Sequence, residues 1–397
     1  MNSESLLPTA RDPLLFTPGP LTTSLTVKLA MLHDAGSWHS DFNELVASVR
    51  ERLLALAGVS REMGWEVVPL QGSGTFGVEA VFQTCVPPYG KVVVLANGAY
   101  GERIAQMLRH ARIAHIVLRT AEDTPNDPEA LATCLANDAA VTHVVCVHCE
   151  TTTGILNPIE DLGGVAKLHG KNFIVDAMSS FGGMPIDFEA CGIDFLVSSA
   201  NKCIEGVPGF SFVFARRELL LVSEGWARSL SLDLLAQLKA FEKNGQFRYT
   251  PPTHVILAFD QALHELEAEG GVAARAARYR RNHETLMEGM TTMGFRSYLE
   301  PEVQSHIITS FHYPEDSHFD FAEFYNRIAE RGFILYPGKI SQCDTFRIGN
   351  IGGLTAADMK QVILAIGEVV AELGVKFEKV SSNGELDFFN HLDDNRN

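Results

Sequence analysis

The feature that most constrains this chain is a rhythm. Seven short runs rich in β-branched residues recur between residues 66 and 216: "EVVPLQ" (66–71), "KVVVLAN" (91–97), "HIVLRT" (115–120), "THVVCVH" (142–148), "NFIVDA" (172–177), "DFLVSS" (194–199) and "FSFVFAR" (210–216). Helix-length amphipathic segments such as "GVEAVFQTCV" and "GERIAQMLRHA" separate several of them. Near-continuous apolar strands alternating with helices predict an α/β fold, with a mostly parallel, seven-stranded sheet covered on both faces. In such a sheet ligands gather beyond the C-terminal ends of the strands. The residues that follow each run are therefore the first place to look for chemistry.

After about residue 255 the texture changes. "VILAFDQALHELEAEGGVAARAARYRRNHETLMEGMTTMG" predicts one long helical stretch, which leads into strand-like "SHIITSFHY" and a helix near "FAEFYNRIAERG". "FILYPG", "TFRIGN" and a last helix from about Thr355 to Leu373 follow. This is the pattern of a smaller C-terminal α+β domain. A chain of 397 residues exceeds the size of one core, so two domains are expected. The expected division is an N-terminal segment over 1–24, a large domain over 25–265, a small domain over 266–375 and a tail over 376–397. That tail, acidic and without periodicity, reads as frayed.

A formal charge of −17 opposes nucleic acid and anionic membrane surfaces as partners. It leaves room for a small anion bound by local dipoles and a well-placed arginine. The first residues show neither a signal nor a transit peptide, and no stretch approaches a membrane span. Seven scattered cysteines suit a reducing cytoplasm, and the "CVHC" pair (Cys146, Cys149) reads as buried structural thiols. The fourteen histidines have no metal-binding spacing, so no metal is expected.

Three stretches end strands with chemistry. In "LQGSGTFGVEAV" a strand gives way to glycines and then a helix, so N–H groups and the helix dipole make an anion cradle. Gly72, Gly74 and Gly77 satisfy G-x-G-x-x-G, but the next strand ends in Asn97 and Gly98 rather than the acidic residue of a dinucleotide site. Ser73 and Thr75 suit a terminal phosphate monoester; a tight glycine turn is the alternative. In "NFIVDAMSSFGG", Asp176 ends an apolar strand, where an unpaired carboxylate is costly. It is either matched to a cationic partner or a ligand, or is a helix N-cap or turn aspartate. In "SSANKCIEGVPGF", Lys202 follows a buried strand, where burial lowers an amine's pKa and frees it as a nucleophile. A lysine that snorkels to solvent is the plainer reading. Together, a phosphate cup, a carboxylate and a buried amine are what pyridoxal phosphate requires of a protein.

With these residues the chain resembles the class V aminotransferases, pyridoxal-phosphate enzymes of fold-type I. The resemblance is carried by "LLFTPGPLTTS", "NGAYGERI", "HCETTTGILNPI", "RSLSLDL", "FRYTPPTHVILAF", "LYPGKISQ" and "FRIGNIG" besides the three stretches above, and spans roughly residues 14–370. It implies that Lys202 carries the cofactor and that Asp176 pairs with its ring nitrogen. Ser73, Gly74 and Thr75 would hold its phosphate, with Thr250 reaching in from a neighbouring subunit of a homodimer with shared active sites. Tyr100 would lie against the ring and Thr152 beside the ring hydroxyl. Arg347 would bind the substrate carboxylate, and residues 17–23, with the Thr22 and Thr23 hydroxyls, would help with an anionic substrate. His148 and His254, beside these motifs, read as supports.

The implied reaction moves the amino group of 2-aminoethylphosphonate to pyruvate, leaving phosphonoacetaldehyde and L-alanine. Other class V aminotransferases, of the alanine–glyoxylate, serine–pyruvate or phosphoserine type, would share Lys202, Asp176 and Arg347. A cysteine desulfurase would need a reactive cysteine on a mobile loop, and Cys343 lacks glycine-rich surroundings. A nicotinamide-dependent oxidoreductase would use the glycine pattern yet leave Asp176 and Lys202 unexplained. A non-catalytic binding protein would have no need of Arg347.

Overall fold

The computed structural model describes residues 12–340 and 342–377. Most of the expected tail, from 378 onward, lies outside the described residues, as do residues 1–11 of the expected N-terminal segment.

All seven sequence-predicted strands form, and they lie in one sheet. Its spatial order is Trp65–Gln71, Phe210–Arg216, Phe195–Ser199, Asn172–Asp176, Val141–Val147, Lys91–Ala96 and Ala114–Arg119. Phe210–Arg216 runs antiparallel to both neighbours and the other neighbouring pairs are parallel, so the sheet is mixed but mostly parallel. The central strands are buried along nearly their whole length, as valine- and phenylalanine-rich runs require when helices cover both faces. Phe181, Phe188, Phe212, Phe214 and Trp65 pack edge to face on one side of it.

The register sets the site. Asp176 closes its strand opposite Val147 and Val197, and Ser199 closes the strand that leads to Lys202. Strand ends bearing polar residues thus share one edge.

A second apolar cluster joins Leu286, Met290, Phe311, Phe324, Phe346 and Ile366. It lies under a three-stranded antiparallel sheet, ordered Ile308–His312, Thr345–Gly349 and Tyr336–Pro337. The N-terminal segment belongs to this part as well: Leu14–Leu15 pairs with Phe333–Ile334, and the Gly349 N–H donates to Phe16 O at 2.9 Å.

One expectation needs correcting. The single long helix is two helices, Thr253–Glu269 and Gly271–Met293, broken at Gly270 and Gly271 with φ of +109° and +77°. Adjacent glycines in the left-handed region end the first helix and re-aim the second.

Candidate active site

The cup forms where Trp65–Gln71 gives way to the helix Gly74–Cys85. Gly72 turns the chain at φ +108°, and a Cβ there would meet the Phe76 ring at 2.6 Å. Ser73 stands at the N-cap in extended conformation, but its hydroxyl makes no capping bond. Phe76 N and Gly77 N donate to Ser73 O, whereas the first two N–H groups, of Gly74 and Thr75, have no intrahelical partner, so they and an exposed hydroxyl are available to an anion. Gly74 is buried against Met178, whose Sδ a Cβ would approach to 2.2 Å.

Asp176 and Lys202 share a cavity of about 280 Å³ with Ser73, Gly74, Thr75 and Tyr100. Burial raises the Asp176 carboxyl to about 6; one N–H from Met178 at 3.0 Å holds it down, Glu150 pushes it up, and Lys202 and Arg103 pull it down. Burial lowers the Lys202 amine to about 8, with Cys203 and Asp176 opposing and Arg347 adding to the drop. Lys202 Nζ donates to Pro18 O at 2.6 Å. Gly19, at φ +120°, passes so close that a Cβ would sit 2.8 Å from that nitrogen. The "TPGP" loop therefore closes directly over the amine. Among the described residues no ion pair joins Lys202 to Asp176, although both line the same cavity.

Tyr100 opens the helix Ala99–His110, whose N-terminus also faces this region. Here the orphan donors are already satisfied. The buried Glu150 carboxylate accepts from Tyr100 N and Gly101 N at 3.1 and 3.2 Å, and from Thr152 N at 3.1 Å. Only glycine at 98 permits this approach, because a Cβ would meet Glu150 Cγ at 2.4 Å. Two helix N-termini thus converge; one is closed by a carboxylate and the other is open.

Thr152 is placed otherwise than expected. Its hydroxyl donates to Glu150 Oε1 at 2.5 Å and accepts from Ala99 N at 3.0 Å, and its neighbour Thr151 lines the cavity instead. The Thr22 hydroxyl accepts from Leu15 N at 2.7 Å, which ties it to the N-terminal strand; neither it nor half-buried Thr23 lines the cavity. Thr250 is exposed, with its carbonyl bound by the Gln71 amide at the end of the cup strand.

Arg347 lies in the middle strand of the small sheet, 2% exposed. Nε donates to Pro337 O at 3.0 Å, Nη1 to Thr151 O at 2.5 Å, and the guanidinium stacks 4.8 Å from the Tyr336 ring. Desolvation lowers its pKa.

His148 is neutral in this setting: burial pulls it to about 4, and Nδ1 lies 2.9 Å from Ser180 Oγ. His254 is on the surface beside Asp34. Cys149 lines the cavity with its thiol pushed up to about 12 by burial, and burial also raises the half-buried Cys343; neither is a ready nucleophile. Glu150, Thr151 and Arg103 were not singled out in the sequence, although Glu150 carries the same signal as Asp176, a carboxylate at the end of an apolar run.

The donor set fits pyridoxal phosphate: an open helix N-terminus for a phosphate, a buried, underpaired carboxylate for a ring N–H, and a buried amine. No group of acidic, histidine and cysteine side chains among the described residues could hold a metal ion. The fold and site define a pyridoxal-phosphate enzyme of fold-type I, and the chain belongs to the class-V aminotransferases, whose family model ("Aminotransferase class-V") matches residues 28–335. Among its relatives are the 2-aminoethylphosphonate–pyruvate transaminases of Pseudomonas aeruginosa and Salmonella typhimurium, each 51% identical. The first match covers 92% of this chain and 98% of that protein, the second 90% and 98%. Pyridoxamine–pyruvate aminotransferase from Mesorhizobium loti shares the fold at a TM-score of 0.83 and 24% identity, over 93% of this chain and 95% of the other. Alanine–glyoxylate aminotransferase from Nostoc sp. does so at 0.82 and 23%, over 93% and 99%.

Proposed function

We propose that this chain is a pyridoxal-phosphate-dependent aminotransferase that moves the amino group of 2-aminoethylphosphonate to pyruvate, giving phosphonoacetaldehyde and L-alanine. One observation carries the chemistry: an open helix N-terminus, the Asp176 carboxylate and the Lys202 amine line one cavity. The choice of donor rests on the relatives so named.

When bound, the cofactor supplies an electron sink conjugated to the substrate carbon. Ser73, Gly74 and Thr75 would bind its phosphate through N–H and hydroxyl donors. Asp176 would keep a proton on its ring nitrogen, and a cationic partner there would drive the raised carboxyl pKa back down. Tyr100 would pack against the ring. Lys202 would hold the cofactor, and its amine, lowered to about 8, would accept and return a proton at the substrate carbon, a pKa that suits both directions. Thr152 acts at one remove, by fixing Glu150 and the first turn of the Tyr100 helix. Arg347 binds the two acidic substrates in turn, and Pro18 and Gly19 shield the amine from water.

We also propose a homodimer in which Thr250 of the partner subunit completes the cup. Exposed Phe76 and Tyr249 beside the cup, with Leu25, Leu32 and Trp38 near the N-terminal helix, supply apolar surface of the kind dimers bury. Residues 25–265 and 266–375 are read as its large and small domains. None of the seven cysteines is in a disulfide and five are buried, which fits a reducing cytoplasm. No helix among the described residues is long and apolar enough to cross a membrane.

A donor panel tests the reaction. With pyruvate as acceptor, 2-aminoethylphosphonate is expected to give L-alanine far faster than serine or phosphoserine does. Preference for any of those donors overturns the assignment.

A further inference from the structure

The site must accept a phosphonate in one half-reaction and a carboxylate in the other, and these differ by about one unit of charge at neutral pH. Arg347 can serve both. A second cation nearby is unassigned. Lys339 Nζ lies 5.0 Å from the centroid of the Tyr100 ring, and the Arg103 guanidinium lies 4.8 Å from the same centroid. Neither has an ion-pair partner or a hydrogen bond among the described residues. Lys339 is fixed to the Arg347 region by its own loop. Tyr336, under the Arg347 guanidinium, and Pro337, whose carbonyl takes Arg347 Nε, are three and two residues before it. Its ammonium feels Arg103 and Arg347 as like charges, and the carboxylate in its field is Glu150, already committed to three backbone N–H groups. Lys339 is exposed and does not itself line the Asp176–Lys202 cavity, but its ammonium lies over the Tyr100 ring, which does; a cation without an ion pair, among cations in a chain of charge −17, is arranged for an anion.

We propose that Lys339, with Arg347, forms the subsite for the phosphonate dianion and so sets preference for a phosphonate over a carboxylate donor. This rests on the function proposed above. Arg347 alone meets the charge of pyruvate; Lys339 matches the additional charge of the phosphonate.

The test uses the holoenzyme and follows each half-reaction separately by absorbance. Lys339→Met, which keeps an apolar stem, is expected to lower kcat/KM for 2-aminoethylphosphonate by about 10- to 100-fold, the worth of a hydrogen bond to a charged group. The pyruvate half-reaction is expected to change by no more than about twofold, as for a substitution outside its contacts. Lys339→Arg is expected to restore most of the loss, and methylphosphonate is expected to compete with the aminophosphonate on wild type and to bind the Met variant more weakly. Equal losses in both half-reactions, or no loss in either, overturn the subsite. If wild type itself ignores 2-aminoethylphosphonate while responding to another amine, the functional reading falls and this inference with it; if wild type responds and Lys339→Met responds equally, the inference alone falls.

Discussion

At the scale of single residues, Asp176 and Lys202 are held against their solvation. Burial without a full partner raises the Asp176 pKa to about 6 from an ordinary value near 3.8, so between those values the folded protein binds a proton that the unfolded chain has lost. The unloaded protein therefore loses stability as pH rises through that window. Asp176→Asn is expected to raise the thermal stability of unloaded protein by about 1–3 kcal/mol at pH 8, the cost of an unpaired buried polar group, and to gain little at pH 4. The same variant is expected to release cofactor more readily, and dialysis with spectroscopy measures that. Lys202 has the opposite sign of shift. An amine lowered to about 8 must shed its proton to attack the cofactor carbonyl, so capture of pyridoxal phosphate by the unloaded enzyme is expected to quicken with pH up to about 8 and then level. A flat rate between pH 6 and 9 would argue that Lys202 is not the attacking group. Gly74→Ala is expected to weaken cofactor binding with little change of fold, because its Cβ drives Met178 into the cavity.

Both charged residues were legible in the sequence because a charge at the end of a buried strand demands a reason. Glu150 escaped because it sits inside "HCETTTG", where threonines drew attention. Its partners, Tyr100 N and Gly101 N, are about fifty residues away in the chain, and only the folded sheet edge brings them together. The partners of Thr152 were hidden for the same reason: spacing does not reveal that its hydroxyl meets Glu150 and the Ala99 N–H.

At the scale of elements, the loop after Lys202 is anchored from the helix Gly271–Met293. Glu205, in the left-handed region at φ +66°, accepts from Arg278 at 2.7 Å and from the Tyr279 hydroxyl at 2.5 Å. Arg275, 1% exposed, donates to Cys203 O, and Arg278 also reaches Gly352 O and Leu354 O. One cluster of ions thus ties the lysine loop to the small sheet's far end. Glu205→Ala leaves the buried Arg275 and half-buried Arg278 with Glu269 as their one remaining carboxylate and is expected to cost about 3 kcal/mol in unfolding free energy, the lower end for removal of one member of a buried ion pair. A loss below about 1 kcal/mol, typical of an exposed pair, would contradict this. The cluster was invisible in sequence, since its members sit 70 to 76 residues from the carbonyls and carboxylate they meet, apart from Glu269. The strands, by contrast, announced themselves, because β-branched runs bounded by polar residues have few other folds open to them. The helix break at Gly270 and Gly271 carried a signal too, but amphipathic periodicity on both sides outweighed it.

At the scale of the whole molecule, a strongly acidic chain sets Arg103 and Lys202 in the wall of one cavity and holds Lys339 and Arg347 within electrostatic reach of them. Its overall field repels the acidic substrates while this local field captures them, so added salt screens both. The proposed dimer makes a separate prediction. Trp38→Asp combined with Tyr249→Asp, which places charge on exposed apolar surface, is expected to shift sedimentation toward monomer and to weaken cofactor retention together. Monomers that hold cofactor as tightly as wild type would refute a cup completed across the interface.

The central claim, that Lys202, Asp176 and the open helix N-terminus together run an aminophosphonate transamination, is tested most directly by an absorbance spectrum of the purified protein before and after 2-aminoethylphosphonate, with no keto acid present. The account predicts a yellow cofactor band that converts to the near-ultraviolet band of pyridoxamine phosphate and returns when pyruvate is added. A yellow band that is unmoved by the aminophosphonate, or no band even with added cofactor, would contradict it.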